Sequence, residues 1–166
     1  MRKIIVIAHL SLDGVIQAPG GPKEDPSGGF KHGGWIRPFG DPAIGRELGK
    51  IMSGRFDLLL GRRTYDIWAD YWPQHGDNPI GAAFNRATKY VVTRRPQRLA
   101  WEKSEAIGGD VVRKVRRLKA TRGPALHIWG SSVVLQTLMA AGLVDEFRVW
   151  VYPVVLGRGK CLFEAG

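Results

Sequence analysis

The chain holds a single cysteine, Cys161, among its 166 residues. No internal disulfide framework can form, which points to a reducing compartment such as the cytoplasm. No apolar run approaches the roughly 20 residues needed to span a bilayer. The opening MRKIIVIAHLSLDG has a basic start and an apolar stretch. It lacks a small-residue cleavage site and runs directly into turn chemistry, so it reads as a first strand rather than a signal peptide. The four histidines, His9, His32, His75 and His127, are scattered without metal-ligand spacing, so no metal is expected. There is no GxSxG elbow, no cysteine pair and no GxxxxGK loop followed by Ser or Thr. Internal repeats and low-complexity tracts are absent. Acidic residues are scarce, 15 Asp+Glu against 25 Lys+Arg, for a net charge of +10.

The length suits one domain, residues 1–166, with a sizeable core. At 44% hydrophobic and 24% charged residues the composition is that of a globular protein. The positive charge is uneven. Arg94 to Arg122 carries ten Arg/Lys against Glu102, Glu105 and Asp110, +7 net. Such a cluster attracts anions, either nucleic acid or small phosphorylated ligands, unless it is a solvated helix face.

Lys3 to His9 is apolar and β-branched, a buried strand, and Ser11-Leu12-Asp13-Gly14 follows as a turn. Pro19 to Gly40 is rich in Gly and Pro yet contains Phe30, Trp35 and Phe39. It is too long for a plain connection and reads as a functional loop or lid. Asp41-Pro42 marks a helix start, with Ile44, Leu48, Ile51 and Met52 at helical spacing. Further strands are expected at Phe56–Leu60, Lys89–Thr93, Ala125–Trp129 and from Phe147, with Phe147, Val149 and Val151 on one face. Helices are expected over Thr64–Asp70 and Pro79–Ala87, after Asp110, and from Gly130-Ser131-Ser132 to a C-cap at Gly142. Strands alternating with helices imply a mainly parallel sheet covered on both faces.

Ligands of open α/β sheets bind beyond the carboxyl ends of the strands. Three such ends carry matching chemistry: Gly61-Arg62-Arg63-Thr64, Thr93-Arg94-Arg95 and Gly130-Ser131-Ser132. Glycine admits close backbone approach, helix N-termini offer free N–H groups, and arginine forks match phosphate. Each piece alone reads as a cap or a solvated turn; three at one sheet edge could hold a pyrophosphate and a further phosphate.

These pieces, SLDGVI, LLLGRRTYDIW, KYVVTRR and IWGSSVVLQTLMAAGLVDEFRVWVYPVVLGRGKCLF, resemble the dihydrofolate reductase-like superfamily. Within it they are most similar to the reductase domain of the bifunctional riboflavin-biosynthesis deaminase/reductase and its stand-alone bacterial relatives. The resemblance covers nearly the whole chain. It implies an α/β fold around a central sheet, NADPH as hydride donor, and a cytoplasmic reductase acting on a small heterocyclic or imine-type substrate, such as a flavin-pathway pyrimidine. By position it assigns Gly61, Arg62 and Thr64 to cofactor phosphates, and Thr93 and Arg94 to the adenosine 2′-phosphate. Gly130, Ser131, Ser132 and Val133 fall to the pyrophosphate, and Ala8, Asp13 and Gly14 to the nicotinamide side, with Asp13 the catalytic candidate. Trp35, Phe39, Tyr65 and Trp68 are the aromatic substrate-pocket candidates. Two departures stand out. Glu47 sits in no pterin-binding motif, and the family usually continues through more strands beyond GKCLF. Ending the sheet at the fifth expected strand would leave an open edge, so a homodimer is expected. The rivals are a family member that binds cofactor without turnover, and a nucleic-acid or anion binder using the +7 segment. Trp101 is the one aromatic between Arg94 and Arg122, unlike the interleaved aromatics of RNA-binding modules.

Overall fold

The computed structural model describes residues 1–163. Six strands form one sheet: β1 (Ile4–Ser11), β2 (Phe56–Gly61), β3 (Lys89–Val92), β4 (Ser104–Ile107), β5 (Ala125–Trp129) and β6 (Glu146–Tyr152). Their order is β4-β3-β2-β5-β1-β6, and every pairing is parallel. The apolar strand sequences are explained by burial on both faces. Ile4, Val6, Ala8, Leu59, Leu126 and Ile128 pack under helices α4 (Val111–Ala120) and α5 (Ser132–Ala140). Ile5, Ile7, Leu58, Leu60, Val91 and Trp129 pack under α1 (Pro42–Ser53), α2 (Arg62–Ala69) and α3 (Pro79–Arg86). Burying one such side chain is worth about 1.5–3 kcal/mol, so these two layers dominate stability.

Local signals set the helix ends. Asp41 accepts from the Ala43 N–H at 2.6 Å, Asn78 from Ile80 at 2.8 Å and Asp110 from Arg113 at 3.0 Å. Gly142, at φ +62°, supplies the left-handed stop after α5. Asp145 ties the β5–β6 side of the molecule together: its carboxylate accepts from the Ile4 N–H and from the buried Lys119 ammonium.

One expectation needs correction. Ser104–Ile107 is a strand that the sequence pattern does not reveal. Its four residues, Ser-Glu-Ala-Ile, lack an apolar run because β4 is an edge strand with two exposed positions. The Pro19–Gly40 segment, expected as a functional loop or lid, is irregular apart from the short 3-10 turns Ser27–Gly29 and Arg37–Phe39. It folds around a small core of its own, where Val15, Ala18, Phe30 and Trp35 meet Tyr152. The segment after β6 returns beside it, with Val15 bridging antiparallel to Cys161 and the Leu162 N–H bonded to the Gly14 carbonyl at 2.8 Å. Residues 164–166 lie outside the described residues.

Candidate functional site

The sheet order makes β3, β2 and β5 consecutive neighbours, so the three strand ends singled out in the sequence lie side by side. A cavity of about 940 Å³ opens there and extends over the sheet face between β1, β5, α1, α2 and α3. It has two chemically distinct ends.

One end is built from backbone. Gly61 and Ser131 occupy the N-cap positions of α2 and α5, and neither caps its own helix through a side chain. The Ser131 hydroxyl instead accepts from the Gly61 N–H at 2.8 Å and donates to Thr64 Oγ1 at 2.9 Å. One serine thereby links the two turns, and the N–H groups of Ser132, Val133 and Val134 are left without protein acceptors among the described residues. Gly130 and Ser131 both have positive φ, +61° and +60°. The serine's left-handed backbone is a strained conformation of the kind found at ligand clamps. At Gly61 a Cβ would meet Val134 Cγ2 at 3.2 Å and Ser131 at 3.4 Å. Two open helix N-termini on adjacent strands, each with its positive dipole end at the cavity, fit an anion with two phosphates.

The arginines divide into two sets. Arg62 lines the cavity, but its Nε is paired with Asp66 at 2.7 Å and its terminal nitrogens donate to the Arg95 and Arg98 carbonyls at 2.7 and 3.3 Å. Its fork clamps the segment after β3 onto α2. That corrects the picture of a guanidinium free for phosphate. Arg94 and Arg95 are exposed, and no side-chain partner binds them among the described residues. Thr93 is buried and caps the turn, accepting from the Arg95 N–H at 2.9 Å. Arg63 is exposed and reaches Asp25 at 3.3 Å, where Lys160 also binds. Burial pulls Asp25 upward, but the Lys160 and Ser27 hydrogen bonds outweigh it and hold the carboxyl below its usual range.

The other end is an aromatic and aliphatic chamber. Phe39, Ile44, Leu48, Trp68, Trp72, Ile80, Phe84 and Trp129 wall it. Ile44 and Leu48 are the α1 side chains there, while Glu47 points elsewhere and pairs with Lys50. Within the chamber wall His9 and Tyr152 stand out: His9 Nδ1 lies 2.7 Å from Tyr152 Oη, and the imidazole stacks on Trp150 at 5.0 Å. Burial lowers the His9 pKa to about 4 and raises that of Tyr152.

Of the residues named from sequence, Ala8, Gly61, Arg62, Thr64, Gly130, Ser131, Ser132, Val133, Phe39 and Trp68 meet at this cavity. Asp13, Gly14, Thr93, Arg94, Trp35 and Tyr65 do not line it. Asp13 is a turn residue: its carboxylate accepts from Ser11 and from the Leu156 and Gly157 N–H groups, which lower its pKa to about 2. A group so fixed, outside the cavity, has no place as its acid. Trp35 is buried in the small core and donates to the Gln17 carbonyl at 2.9 Å. Tyr65 is buried beneath the sheet end, accepting from the Trp101 N–H at 2.9 Å. Sequence reading missed His9, Tyr152, Trp72, Phe84 and Trp129. The one available signal was the position of His9 and Trp129 toward strand carboxyl ends.

Comparison with known proteins agrees with this geometry. The model of the RibD C-terminal domain family matches residues 2–166, so the chain belongs to that family. Two relatives from Bacillus subtilis (strain 168) are each 28% identical to it. The uncharacterized protein YyaP matches over 98% of this chain and 80% of its own length, and the uncharacterized protein YwjB over 98% and 83%. A solved structure from Shewanella sp. PV-4, provisionally named a riboflavin biosynthesis protein, superposes with a TM-score of 0.63. It is 24% identical and covers 98% of this chain and 84% of that one. That likeness establishes the α/β fold.

Proposed function

With membership of the RibD C-terminal domain family as premise, we propose that the protein is a cytoplasmic NADPH-dependent reductase. It moves a hydride to a small heterocyclic or imine-type substrate. The observation that carries this reading is the pair of open helix N-termini at Gly61–Thr64 and Gly130–Val133, continuous with an aromatic chamber. The nucleotide's pyrophosphate would lie against Ser132, Val133 and Thr64, and its adenosine phosphate toward the exposed Arg94 and Arg95. Arg62 and Thr93 shape the turns that present those arginines. Ala8, in the middle of β1, lines the same cavity. The bound cofactor would supply hydride chemistry to the substrate carbon, with a proton from solvent completing the reduction. The chain's own task is to orient both rings. A flavin-pathway pyrimidine is one substrate of this class.

The edge strand β6 turns Phe147, Val149 and Val151 outward at 39–59% exposure, with Phe163 against Phe147. An apolar edge of this kind favours pairing, and a homodimer covering it is part of the proposal. Light scattering that shows a clean monomer at micromolar concentration counts against it. The functional reading is tested by titrating NADPH, NADH and an oligonucleotide at near-physiological salt, then following NADPH oxidation against pyrimidine, pterin, quinone and imine substrates. NADPH binding with turnover supports the reductase. NADPH binding without turnover across the panel supports a silent family member. Oligonucleotide binding alone supports the basic segment as the functional surface.

A further inference from the structure

The aromatic wall of the chamber offers few polar groups, although Gln17, Asp25, Arg37, Arg63 and Lys160 line the same cavity. That wall is Phe39, Leu48, Trp68, Trp72, Phe84 and Trp129, and no buried cation or carboxylate stands among them. Two wall residues carry a usable donor: His9, and Trp129, whose indole Nε1 is buried without a partner among the described residues. His9 lines the cavity from the sixth position of β1, and its Nδ1 is engaged by the Tyr152 hydroxyl at 2.7 Å. Nε2, the other ring nitrogen, has no partner among the described residues and is not closed off in the way the unpartnered His127 Nδ1 is. Tyr152 is 3% exposed, and its hydroxyl has no acceptor within the described protein other than Nδ1. A buried phenol that keeps its proton must donate it. Nδ1 is then the acceptor, and the neutral imidazole carries its proton on Nε2. Trp150 stacked on one side of the ring, and Tyr152 tilted against it at 5.5 Å, hold that orientation.

We propose that His9 Nε2–H is a hydrogen-bond donor by which the chamber selects its substrate, a planar, conjugated carbonyl or imine compound. Tyr152 is the positioning residue that fixes the tautomer. The inference rests on the reductase reading for the word substrate, but the binding claim stands without the cofactor. A neutral donor in an apolar pocket stabilises an acceptor atom that gains negative charge without having to shed a charge of its own.

The test uses two bicyclic probes of similar size in the absence of nucleotide: coumarin, which has one conjugated carbonyl, and naphthalene, which has no acceptor. Binding is followed through the tryptophans of the cavity wall. His9→Leu is expected to weaken coumarin two- to tenfold, the range of one neutral hydrogen bond, and to leave naphthalene within twofold. His9→Gln, which keeps a donor, is expected to recover part of the coumarin affinity. Equal effects on both probes overturn the proposal. Nitrogen-15 chemical shifts of His9 in the wild-type protein give an independent reading that needs no variant to fold. They are expected to show the Nε2–H form at pH 7 and a mixture of tautomers in Tyr152→Phe. A wild-type Nδ1–H form overturns the proposal. Failure of NADPH to bind would remove the reductase reading and leave these outcomes unchanged.

Discussion

The two ends of the cavity are made of different material. The anion end is backbone: two glycines, two helix N-termini and one serine that links them, all within Gly61–Thr64 and Gly130–Val134. The chamber is side chain, assembled from β1, the Pro19–Gly40 segment, α1, α2, α3, β5 and β6. Backbone donors tolerate no change of conformation but are indifferent to most neighbouring side chains. The chamber tolerates conformational detail but is defined by the volume and polarity of each wall. A nucleotide common to many reductases suits the first, and a specific substrate suits the second.

Acid separates the two ends most strongly. His9 in the chamber and His127 under Phe56 both have pKa values lowered to about 4, by burial first and, for His127, by Arg148 as well. Above pH 6.5 both are neutral, folded or unfolded, and no penalty applies. Between 6.5 and 4 the unfolded chain takes up protons that the folded chain refuses, so stability falls as pH falls. Each site contributes on the order of 3 kcal/mol over that window. Denaturant unfolding between pH 7 and 4 is expected to show the loss, and His9→Leu is expected to remove about half of the slope. Nothing in the anion end titrates in this window, so a flat profile would mean that the histidines are solvated in the folded state.

Gly130→Val acts on the other end. At φ +61° a β-branched residue is strained, at a cost of about 1–3 kcal/mol. It also fills the approach to α5 and should weaken NADPH and NADH alike while leaving coumarin binding in the chamber intact. Loss of coumarin binding as well would show that the two ends are not independent. Arg94→Ala combined with Arg95→Ala is expected to be milder and selective. Charge-assisted bonds to one phosphate are worth about 1.5–3 kcal/mol, so NADPH should weaken about tenfold or more with NADH little changed. Arg62→Ala should reduce the same selectivity only through the loosened Arg95–Arg98 segment. Equal losses for both nucleotides in the Arg94/Arg95 variant would mean that these side chains do not read the 2′-phosphate.

The same contrast governs what could be read without coordinates. Strand ends with glycine, serine and arginine are contiguous words, and Gly61, Thr64, Gly130 and Ser131 fall together in the structure as their spacing anticipates. The helix starts at Asp41 and Asp110 were legible because a cap is a local bond. β4 was not, because an edge strand with exposed positions has no apolar signature. The chamber was mostly illegible. Phe84 and Trp72 look like ordinary core residues in sequence, and only the layering of α1 and α3 on the sheet makes them a wall. Trp35 and Tyr65 show the converse: they are aromatics near the right segments that point into the core. His9 became meaningful only when β6 brought Tyr152 beside it, 143 residues away.

The smallest expected effect concerns Arg63, the residue whose allegiance is divided. It sits in the first turn of α2 at the anion end, yet its side chain reaches Asp25 in the segment that borders the chamber. Its side chain is 61% exposed, and exposed ion pairs contribute about 0–1 kcal/mol. Asp25 keeps Lys160 and the Ser27 N–H when Arg63 is removed. Arg63→Ala should therefore lower stability by less than about 1 kcal/mol and leave the Pro19–Gly40 segment in place. Its effect on ligands decides where it belongs. If Arg63 serves the anion end, both nucleotides weaken a few-fold together and coumarin is unaffected. If it serves the segment over the chamber, coumarin dissociates faster while nucleotide affinity holds. Asp25→Asn separates the cases further, because it frees Arg63 and Lys160 at once. A gain in nucleotide affinity in that variant would show that the Asp25 pair competes with phosphate for the same cations, and unchanged affinity would show that the two ends share a border but no charge.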